Sequence, residues 1–592
     1  MTFYHSFENS IQSFFSQEYG FLIDEIDFQL TRKEFEGDIT IVVFPYLKKC
    51  RVSPKELANQ LGVYLESRNQ YIKSYNVVGG FLNLSITDEF YFNTCRLIFE
   101  SSAFGFQKTS KSNETVLVEF SSPNTNKPLH LGHIRNNLLG HAVANILEAN
   151  GKNVRRVQIV NDRGIHICKS MVAWKKFAKK QTPKSTQTKG DHFVGQYYVT
   201  FEKEYKKQIK KLIDDGFSES DAKQKASLMI ETQSLLRKWE SGDPSTIDLW
   251  KQLNHWVSSG FDQTYEKLGV SFDKIYYESQ TYLLGRKIVD KGLKEGILYQ
   301  REDGSIWIDL TQEGLDEKLL IRSDGTSVYM TQDLGTAVLR SEDFPTMNSM
   351  IYVVGNEQNY HFQVLFLILQ KLNYQWAKNL IHLSYGMVDL PFGKMKSREG
   401  TVVDADELIE KMVDTAKAKT QETGKVEHLD DDQKQELYSS IGLGALKYQL
   451  LKIDPKKRIL FNPNQSIDFQ GNTGTFIQYA YARIHTMLSK TKKIEFLNTD
   501  GLVMEPLEKE IINLLMLYPQ VLFNAAEKLD PSLVANYLYD LVRHFNRFYQ
   551  NIPILSASHS NQMEFRTTLS KTVAHTIKSA CSLLGIEVPN QM

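Results

Sequence analysis

The chain has 592 residues, of which 41% are hydrophobic and 24% are charged. This length and composition are typical of a soluble globular protein with several domains, and they exclude a single small domain. Lysine plus arginine equals aspartate plus glutamate, at 70 each. The resulting formal net charge of zero neither indicates nor excludes a polyanionic partner, because a nucleic-acid surface is a local feature.

The cysteines and the N-terminal residues indicate the cellular compartment of the protein. Cys50, Cys95, Cys168 and Cys581 are far apart and form no CxxC pair, which favours reduced thiols over a disulfide framework or a zinc knuckle. The start, MTFYHSFENS, lacks the basic and apolar segments of a signal peptide. No apolar stretch is long enough to span a bilayer. We therefore expect a soluble, cytoplasmic protein.

The first half of the chain changes character after a polar break, QKTSKSNET. Residues 1–108 mix helical and strand patterns. After the break, VLVEFSS reads as a buried strand, the segment after Gly132 as a helix, and VRRVQIVN as a second strand. This β-α-β unit predicts a parallel sheet.

The remaining elements follow in chain order. Residues 181–260 are polar and helical, which is typical of an insertion between halves of a sheet. Strand-like runs return at SIWIDL, SMIYVVG and LIHLSYGMV, and the pattern fades after GKMKSREG. Beyond residue 430 nearly everything reads as helix.

One C-terminal helix is well marked by its apolar spacing. Five apolar residues recur at three- and four-residue steps and line one helical face: Val534, Leu538, Leu541, Phe545 and Phe548. Asp530 and Pro531 fit the N-cap and first turn of this helix.

These patterns predict a multidomain α/β protein. We expect an α+β N-terminal domain over residues 1–108 and a Rossmann-type parallel-sheet domain over 112–425. The latter contains the helical insertion at about 181–260. An all-α domain is expected over 430–592.

Two histidines mark the first candidate site. EFSSPNTNKPLHLGH, residues 119–133, places His130 and His133 where a strand passes into a helix. Gly132 leaves room for a close ligand. We expect free N–H groups and the positive dipole end of the helix to suit phosphate. The two imidazoles would add hydrogen bonds to it. An isolated HxGH is a weak signal, since short motifs match by chance.

The second candidate segment is basic and rich in glycine. GKMKSREGTVV, residues 393–403, carries Lys394, Lys396 and Arg398. A mobile loop of this kind could neutralise a leaving pyrophosphate, although alone it is more typical of a solvated turn.

Together the two segments resemble the signatures of class I aminoacyl-tRNA synthetases. HLGH stands where that family has HIGH, and KMKSR stands where it has KMSKS, in the same order and more than 250 residues apart. The resemblance implies that ATP is bound by residues of both segments: His130, Gly132, His133, Lys394, Met395, Lys396, Ser397 and Arg398.

The sequence around both signatures is similar to the arginine branch of this family, arginyl-tRNA synthetase. The similar segments extend over essentially the whole chain and comprise VQIVNDRG, GDHFVGQYY, LIRSDGTSVYMTQDLG, YVVGNEQNYH, GNTGTFIQYAYARI, LYDLVRHFNRFYQ and the N-terminal GDIT and GFLNL. The resemblance implies an arginine–tRNA ligase with a tRNA-contacting N-terminal domain and a helical anticodon-binding C-terminal domain.

The resemblance also implies a pocket for arginine. Guanidinium is planar and always charged, and carboxylates in fixed positions bind it well. Tyr329 and Asp333 are four residues apart and would share a helical face. The residues that match the family's pocket are Glu119, Asn124, Tyr329, Asp333 and Gln358. Glu357 remains an alternative to Gln358.

Two positions depart from the family pattern. Ser397 occupies the place of the second signature lysine, and the resemblance suggests Lys127, upstream of the histidines, as its replacement. Lys396 remains a rival. Arg163 stands where many relatives carry tryptophan.

The resemblance implies a two-step reaction without a covalent enzyme intermediate. The arginine carboxylate attacks the α-phosphate of ATP, and a ribose hydroxyl at the tRNA 3′ end then attacks the adenylate. Catalysis is expected from His130, His133, Lys127 and Lys394, with Mg²⁺ bound through the phosphates and no metal held by the protein. Members of this branch typically need tRNA even for the first step.

Aromatic and basic residues predict the tRNA surfaces. Tyr479, Arg483, Arg543 and Arg547 suit stacking and phosphate contacts, whereas Phe548 lies on the apolar stripe and is expected in the core. Asn83 lies in the segment that resembles an elbow-contacting strand. A monomer is typical of the family. The alternative is a non-catalytic tRNA-binding paralogue, which would be expected to lose the signature histidines or pocket carboxylates.

Overall fold

The structure is a computed structural model that describes residues 5–23, 26–32, 34–109, 114–389, 403–422, 426–491 and 501–592. Within the described residues, the N-terminal part combines four α-helices and four strands. In chain order they are α1 His5–Tyr19, β1 Phe28–Leu30, β2 Ile39–Val42, α2 Leu47–Cys50, α3 Pro54–Arg68, β3 Ile72–Val78, β4 Phe81–Ile86 and α4 Asp88–Glu100.

The four N-terminal strands form an antiparallel sheet in the order β1-β2-β4-β3. Leu82, Leu84 and Ile86 alternate along β4 and are buried, as the two-residue period of a strand requires. Phe14 and Leu61, on α1 and α3, belong to the same core. Ser53 begins α3 by accepting the Glu56 N–H, and Pro54 occupies its first turn.

The middle of the chain contains the parallel sheet, its helices and the insertion. Its elements are β5 Thr115–Glu119, α5 Leu131–Ala149, β6 Asn153–Val160, α6 Ile165–Phe177, α7 Pro183–Thr186, α8 Gly190–Asp214, α9 Glu219–Lys225, α10 Ser227–Glu240, α11 Pro244–Leu268, β7 Lys274–Tyr277, α12 Glu278–Thr281, α13 Leu284–Lys294, β8 Tyr299–Gln300, β9 Ile306–Ile308, β10 Lys318–Ile321, α14 Tyr329–Asp343, β11 Met347–Gly355, α15 Asn359–Lys371, β12 Leu380–Tyr385, β13 Val388–Asp389 and α16 Ala405–Glu422.

Five of these strands form the predicted parallel sheet, in the order β12-β11-β5-β6-β7. On the two sides of β5, Glu119 is paired with Tyr352 of β11 and with Val157 of β6. Because all five strands point the same way, their carboxyl ends share one edge. In open α/β sheets ligands bind at this edge.

SIWIDL does form a strand, β9, but not in the parallel sheet. It pairs antiparallel with β8 and β10 in a separate three-stranded sheet. Ile306 and Ile308 are buried there. The periodicity of a short apolar run predicts a strand without specifying its partner.

The C-terminal part of the described chain is almost entirely helical. It comprises α17 Asp431–Leu451, β14 Ile459–Leu460, α18 Pro463–Ser466, α19 Gly474–Leu488, α20 Pro506–Lys528, α21 Ser532–Asn551 and α22 Ser560–Leu583. Among the helices that the structure describes, none is long and apolar enough to cross a membrane.

The predicted apolar face of α21 is confirmed. All five residues of the predicted stripe, Phe548 included, have no exposed surface. The helix begins at Ser532, one residue later than expected, with Pro531 as its cap. Asp530 still accepts the Ser532 N–H, at 2.9 Å, so its carboxylate does stabilise the helix start.

The helical part contacts both preceding parts of the chain. Toward the parallel sheet, β14 pairs with β13, and Arg135 of α5 donates to the carbonyls of Pro455 and Lys457, each at 2.9 Å. Toward the N-terminal part, Lys509 lies 2.9 Å from Asp88 at the start of α4.

A buried ion pair ties α20 to α22. Arg566 Nε donates to Glu508 Oε1 at 2.7 Å, and the two side chains are 4% and 1% exposed. Arg566 also donates to the Pro553 carbonyl at 2.9 Å. Removing one member of such a pair leaves the other charge buried and uncompensated.

We predict that Glu508→Gln lowers the free energy of unfolding of the helical part by about 3–5 kcal/mol, measured by urea denaturation. Glu219→Gln is the matched control, because Glu219 forms an exposed i,i+4 pair with Lys223, and its urea midpoint should stay at the wild-type value. Equal midpoints for both variants would contradict a stabilising role of the buried pair.

All four cysteines, Cys50, Cys95, Cys168 and Cys581, are buried as free thiols. Burial raises the pKa of Cys95 and of Cys168 to about 12. These thiols therefore stay protonated at neutral pH and pack as small apolar groups.

Candidate active site

A strained turn leads from the central strand to the first signature. Ser121 and Ser122, directly after β5, have φ values of 78° and 48°, in the left-handed region that non-glycine residues rarely adopt. Their surroundings hold them there. Asn136 accepts the Ser121 N–H, and Ser121 Oγ lies 2.7 Å from the Tyr265 hydroxyl. Strain of this kind is typical of functional sites.

The HLGH segment begins α5, and its histidines bind their own backbone. His130 is the N-cap, and its Nδ1 accepts the Gly132 N–H at 3.1 Å. His133 Nδ1 accepts the His130 N–H, also at 3.1 Å. A Cβ on Gly132 would lie 2.9 Å from the His130 ring, so glycine is required for this fold-back.

The expectation of free N–H groups at this helix start is wrong. The Leu131 N–H donates to the Val403 carbonyl at 3.1 Å, and the His133 N–H donates to the His130 carbonyl at 2.7 Å. The Gly132 N–H is bound by His130 Nδ1. These donors are already used, so hydrogen bonds to a ligand would come from the imidazoles.

Both imidazoles are neutral at neutral pH. Burial, followed by the charge of Lys127, lowers the pKa of His130 to about 4. Burial and then His130 and Lys127 lower the pKa of His133 well below its usual value. Because each Nδ1 accepts a hydrogen bond, the ring proton is on Nε2. The rings, 3.9 Å apart between centroids, therefore present two neutral N–H donors.

Of the second segment, residues 393–403, only the last residue is described, and it lies beside the first segment. Lys394, Met395, Lys396, Ser397 and Arg398 lie outside the described residues. The chain that follows them pairs with HLGH, because His130 and Asp404 form an antiparallel bridge and the Ala405 N–H donates to the Leu129 carbonyl at 3.0 Å. The described residues that follow the second signature therefore lie against the first signature.

Lys127 lies beside the same turn. Together with His130 it lines a cavity of about 480 Å³, closed on the other side by α8. The remaining lining residues are Pro128, Leu129, His192, Gly195, Gln196, Tyr198, Val199, Thr200 and Asp404.

Tyr329 and Asp333 lie on the first two turns of α14, as predicted from their spacing. Tyr329 is 75% exposed. Asp333 Oδ2 lies 2.6 Å from His361 Nε2 at the start of α15. The sequence reasoning did not single out His361, although it closes the YVVGNEQNYH segment that resembles the family.

Glu119, in contrast, already has a cationic partner. Its carboxylate is buried and accepts hydrogen bonds from the Arg340 guanidinium and, at 3.2 Å, from Ser122 Oγ. Arg340 lies between Tyr276 and Tyr352, at 5.1 and 5.8 Å from the ring centroids. No local pattern pointed to Arg340, because 221 residues separate it from Glu119.

The other predicted pocket residues lie at the carboxyl edge of the sheet. Asn124 is exposed and forms a bridge with Asn161, which follows β6. Glu357 and Gln358 are both exposed in the short 3₁₀ turn after β11. The Glu357 carboxylate folds back toward Gly355, where an added Cβ would lie 2.5 Å from it.

Arg163 packs as a planar group between aromatic rings. Its guanidinium lies 3.9 Å from the Tyr282 centroid and 5.1 Å from that of Trp239. It also lies 3.3 Å from Glu240. Guanidinium stacks well on aromatic faces, so arginine fits this position.

The four predicted tRNA-binding residues of the helical part line one cavity of about 550 Å³: Tyr479, Arg483, Arg543 and Arg547. Arg483 stacks on Tyr479 and Tyr549, at 4.7 and 5.3 Å from the centroids, and donates to Asn546 at 3.0 Å. Arg543 and Arg547 are exposed. The cavity therefore combines aromatic surface with cationic groups.

Asn83 is not at the surface. It is 2% exposed, and its Oδ1 accepts a hydrogen bond from Thr40 Oγ1 at 2.7 Å. Gly37 packs closely over it, since a Cβ there would lie 2.9 Å from the Asn83 Cβ. Its predicted contact with tRNA remains a prediction.

Three family models match consecutive parts of the chain. The model described as "tRNA synthetases class I (R), catalytic domain" matches residues 96–462. "DALR anticodon binding domain" matches 477–592, and "Arginyl tRNA synthetase N terminal domain" matches 3–86.

Curated relatives match over nearly the whole length. An arginine–tRNA ligase of Flavobacterium psychrophilum is 52% identical over 98% of each chain, and one of Bacteroides thetaiotaomicron is 51% identical over 96% of each. The structure of Thermus thermophilus arginyl-tRNA synthetase has the same fold, with a TM-score of 0.80, 24% identity and 99% of each chain covered. The sequence relationship extends over all three parts of the chain, which thus belongs to the arginyl-tRNA synthetase family of class I aminoacyl-tRNA synthetases.

Proposed function

We propose that this chain activates arginine with ATP, releases pyrophosphate, and transfers arginine to the 3′-end ribose of its cognate tRNA. The observation that carries the proposal is the HLGH turn, which presents two neutral imidazole N–H donors at the ligand-binding edge of a parallel sheet. The near-full-length identity of 52% to an arginine–tRNA ligase supports the same reaction.

In this proposal His130 and His133 act by hydrogen bonding. Negative charge grows on the phosphate oxygens as the arginine carboxylate attacks the α-phosphate, and preoriented donors stabilise that charge more in the transition state than in the ground state. Because both rings are neutral, they supply dipoles, and the full positive charges must come from elsewhere.

Those charges are proposed to come from lysine and Mg²⁺. Lys127 lies at the turn, and Lys394 and Lys396 belong to the second signature; Lys127 or Lys396 replaces the lysine lost at Ser397. Mg²⁺ is proposed to arrive bound to the ATP phosphates. The nearby Asp191, His192 and Asp406 could together hold an ion. Lys189 Nζ, however, lies 2.6 Å from Asp406 and 3.1 Å from Asp191, so an internal ammonium already binds both carboxylates.

Arginine is proposed to bind between α14 and the end of β5. Tyr329 and Asp333 would face its guanidinium, and Asn124 and Gln358, or Glu357 in place of Gln358, would hold its head group. Glu119 is engaged by Arg340, so its proposed contribution is limited to the carboxylate oxygen that faces Ser122.

The cavity formed by Tyr479, Arg483, Arg543 and Arg547 is proposed to receive unpaired bases and phosphates of the anticodon region. We further propose a monomeric enzyme of the cytoplasm. Free buried thiols fit a reducing compartment, and analytical ultracentrifugation would test the monomer. A non-catalytic paralogue is disfavoured, because both histidines and Asp333 are retained.

The reaction itself is tested by ATP–pyrophosphate exchange with each of the twenty amino acids, with and without tRNA. We expect exchange with arginine and dependence on tRNA. Exchange with another amino acid, or none under any condition, would refute the proposal.

We predict that His133→Ala lowers kcat for exchange by a factor on the order of 10²–10³, the loss typical of an oxyanion-type donor. Arginine affinity, measured by calorimetry, should hardly change, because His133 acts on the phosphates. His255→Ala is the control, since that histidine lies in the insertion helix α11. An unchanged exchange rate in His133→Ala would remove the assigned role.

We predict that Asp333→Asn raises KM for arginine at least about 10-fold and leaves KM for ATP unchanged, because a charge-assisted hydrogen bond to the substrate becomes a neutral one. The matched control is Asp343→Asn at the other end of α14, where the carboxylate pairs with Lys274 at 2.6 Å. Equal arginine KM values in both variants would place Asp333 outside the pocket.

We predict that Arg543→Gln raises KM for tRNA about 10-fold and flattens its dependence on salt, because one cationic contact to phosphate is lost. KM for arginine should not change. Arg286→Gln serves as the control, because Arg286 is also exposed and pairs with an aspartate of its own helix, Asp290 of α13. A wild-type tRNA affinity and salt slope in Arg543→Gln would argue against the anticodon site.

A further inference from the structure

A cluster of charged groups lies directly behind the HLGH turn and belongs to three different elements. Its centre is Asp406, on the first turn of α16 and only 6% exposed. Around it lie Lys189 and His192 at the start of α8, and Thr264 and Lys267 from α11. The proposed reaction assigns these residues no role.

The contacts to Asp406 come from side chains of α8 and α11 and of the residue before α8. Lys189 Nζ donates to Asp406 Oδ2 at 2.6 Å, His192 Nε2 lies 3.1 Å from the same oxygen, and Thr264 Oγ1 lies 3.3 Å from both carboxylate oxygens. Burial alone raises the pKa of Asp406, but the hydrogen bonds from His192 and Lys189 hold it well below its usual range. The carboxylate is therefore ionised and anchored to the insertion.

Lys189 and His192 are themselves held in place. Lys189 also bonds to Thr264 at 2.6 Å and to the fully buried Asp191 at 3.1 Å. Gly260 of α11 packs against that aspartate so closely that a Cβ would lie 2.3 Å from its carboxylate oxygen. The start of α8 and the C-terminal part of α11 are thus packed together around Asp406.

Asp406 lies two residues after Asp404, whose backbone pairs with that of His130. Asp404 Oδ1 accepts the Asp406 N–H at 2.8 Å and the Glu407 N–H at 3.2 Å, which starts α16. Asp404 itself is bridged to His130, and residues 403 and 405 are hydrogen-bonded to Leu131 and Leu129 on either side of it. Any displacement of Asp406 is therefore passed to the backbone that carries the His130 ring.

We propose that Asp406 is a positioning residue for the activation step: anchored by Lys189 and His192, it holds residues 403–405 against the HLGH turn and so fixes the direction of the His130 donor. This inference rests on the proposed role of His130. It also makes the helical insertion, through α8 and α11, part of the machinery that sets the rate of adenylate formation.

The test is a mutant cycle on the full-length chain, measured by tRNA-dependent ATP–pyrophosphate exchange. Asp406→Asn should lower kcat between about 10-fold and 100-fold, because misplacement of about 1 Å costs that much in a preorganised site. KM for arginine should stay within twofold. In a His130→Ala background, Asp406→Asn should cause no further loss, since the donor it positions is gone.

Two further variants separate positioning from general stability. Lys189→Arg keeps a cation opposite Asp406 and should retain most of the rate, whereas Lys189→Gln should behave like Asp406→Asn. Glu508→Gln also removes a buried carboxylate from an ion pair, but that pair joins α20 to α22 and does not belong to the Asp406 cluster. Any loss of rate in Glu508→Gln should therefore multiply with the loss in His130→Ala. If Asp406→Asn proves poorly folded, Lys189→Gln carries the same expectation.

Wild-type kcat in Asp406→Asn, or losses that multiply with His130→Ala, would overturn the positioning role. These results differ from failure of the proposed function. That failure would appear as normal exchange in His130→Ala itself, or as no arginine-dependent exchange in the wild-type chain.

Discussion

The parallel register of five strands is the constraint on which the rest of the molecule depends. β5 lies in the middle of the sheet, and its last residue, Glu119, is level with Tyr352 on one side and Val157 on the other. Because parallel strands end at a common edge, the HLGH turn, Asn124, Asn161 and the start of α15 must meet there. These groups are close together because the strands are parallel, although more than 200 residues separate the HLGH turn from the start of α15 along the chain.

At that edge the backbone N–H groups that begin α5 are hydrogen-bonded within the protein and are not free for a ligand. The first N–H groups of α5 are bound by His130 and by Val403. This leaves the site dependent on side-chain donors, whose direction is set by neighbouring backbone. In the positioning role proposed for Asp406, the start of α16 is anchored to α8 and helps to set the direction of the His130 ring.

Buried arginines bind to other groups of the protein, whereas exposed arginines are available to ligands. Arg135, Arg340 and Arg566 are almost completely buried and bond to carbonyl or carboxylate oxygens. Arg543 and Arg547 are exposed, and their acidic neighbours lie at 3.4 and 3.5 Å. A buried cation cannot exchange its partner without a large desolvation cost, whereas an exposed one can release a weak partner and bind a phosphate.

The sequence alone predicted what depends on local pattern: the β-α-β unit, the buried face of α21, the helix that carries Tyr329 and Asp333, and the HLGH turn. These follow from periodicity and from spacing of a few residues, which are properties of neighbours along the chain. Only the tertiary structure revealed that the N–H groups of α5 are occupied, that Arg340 engages Glu119, that Asn83 is buried beneath Gly37, and that β9 leaves the parallel sheet. Each of these features depends on a residue that is distant in sequence and is brought near by folding. A local sequence pattern does not identify that residue.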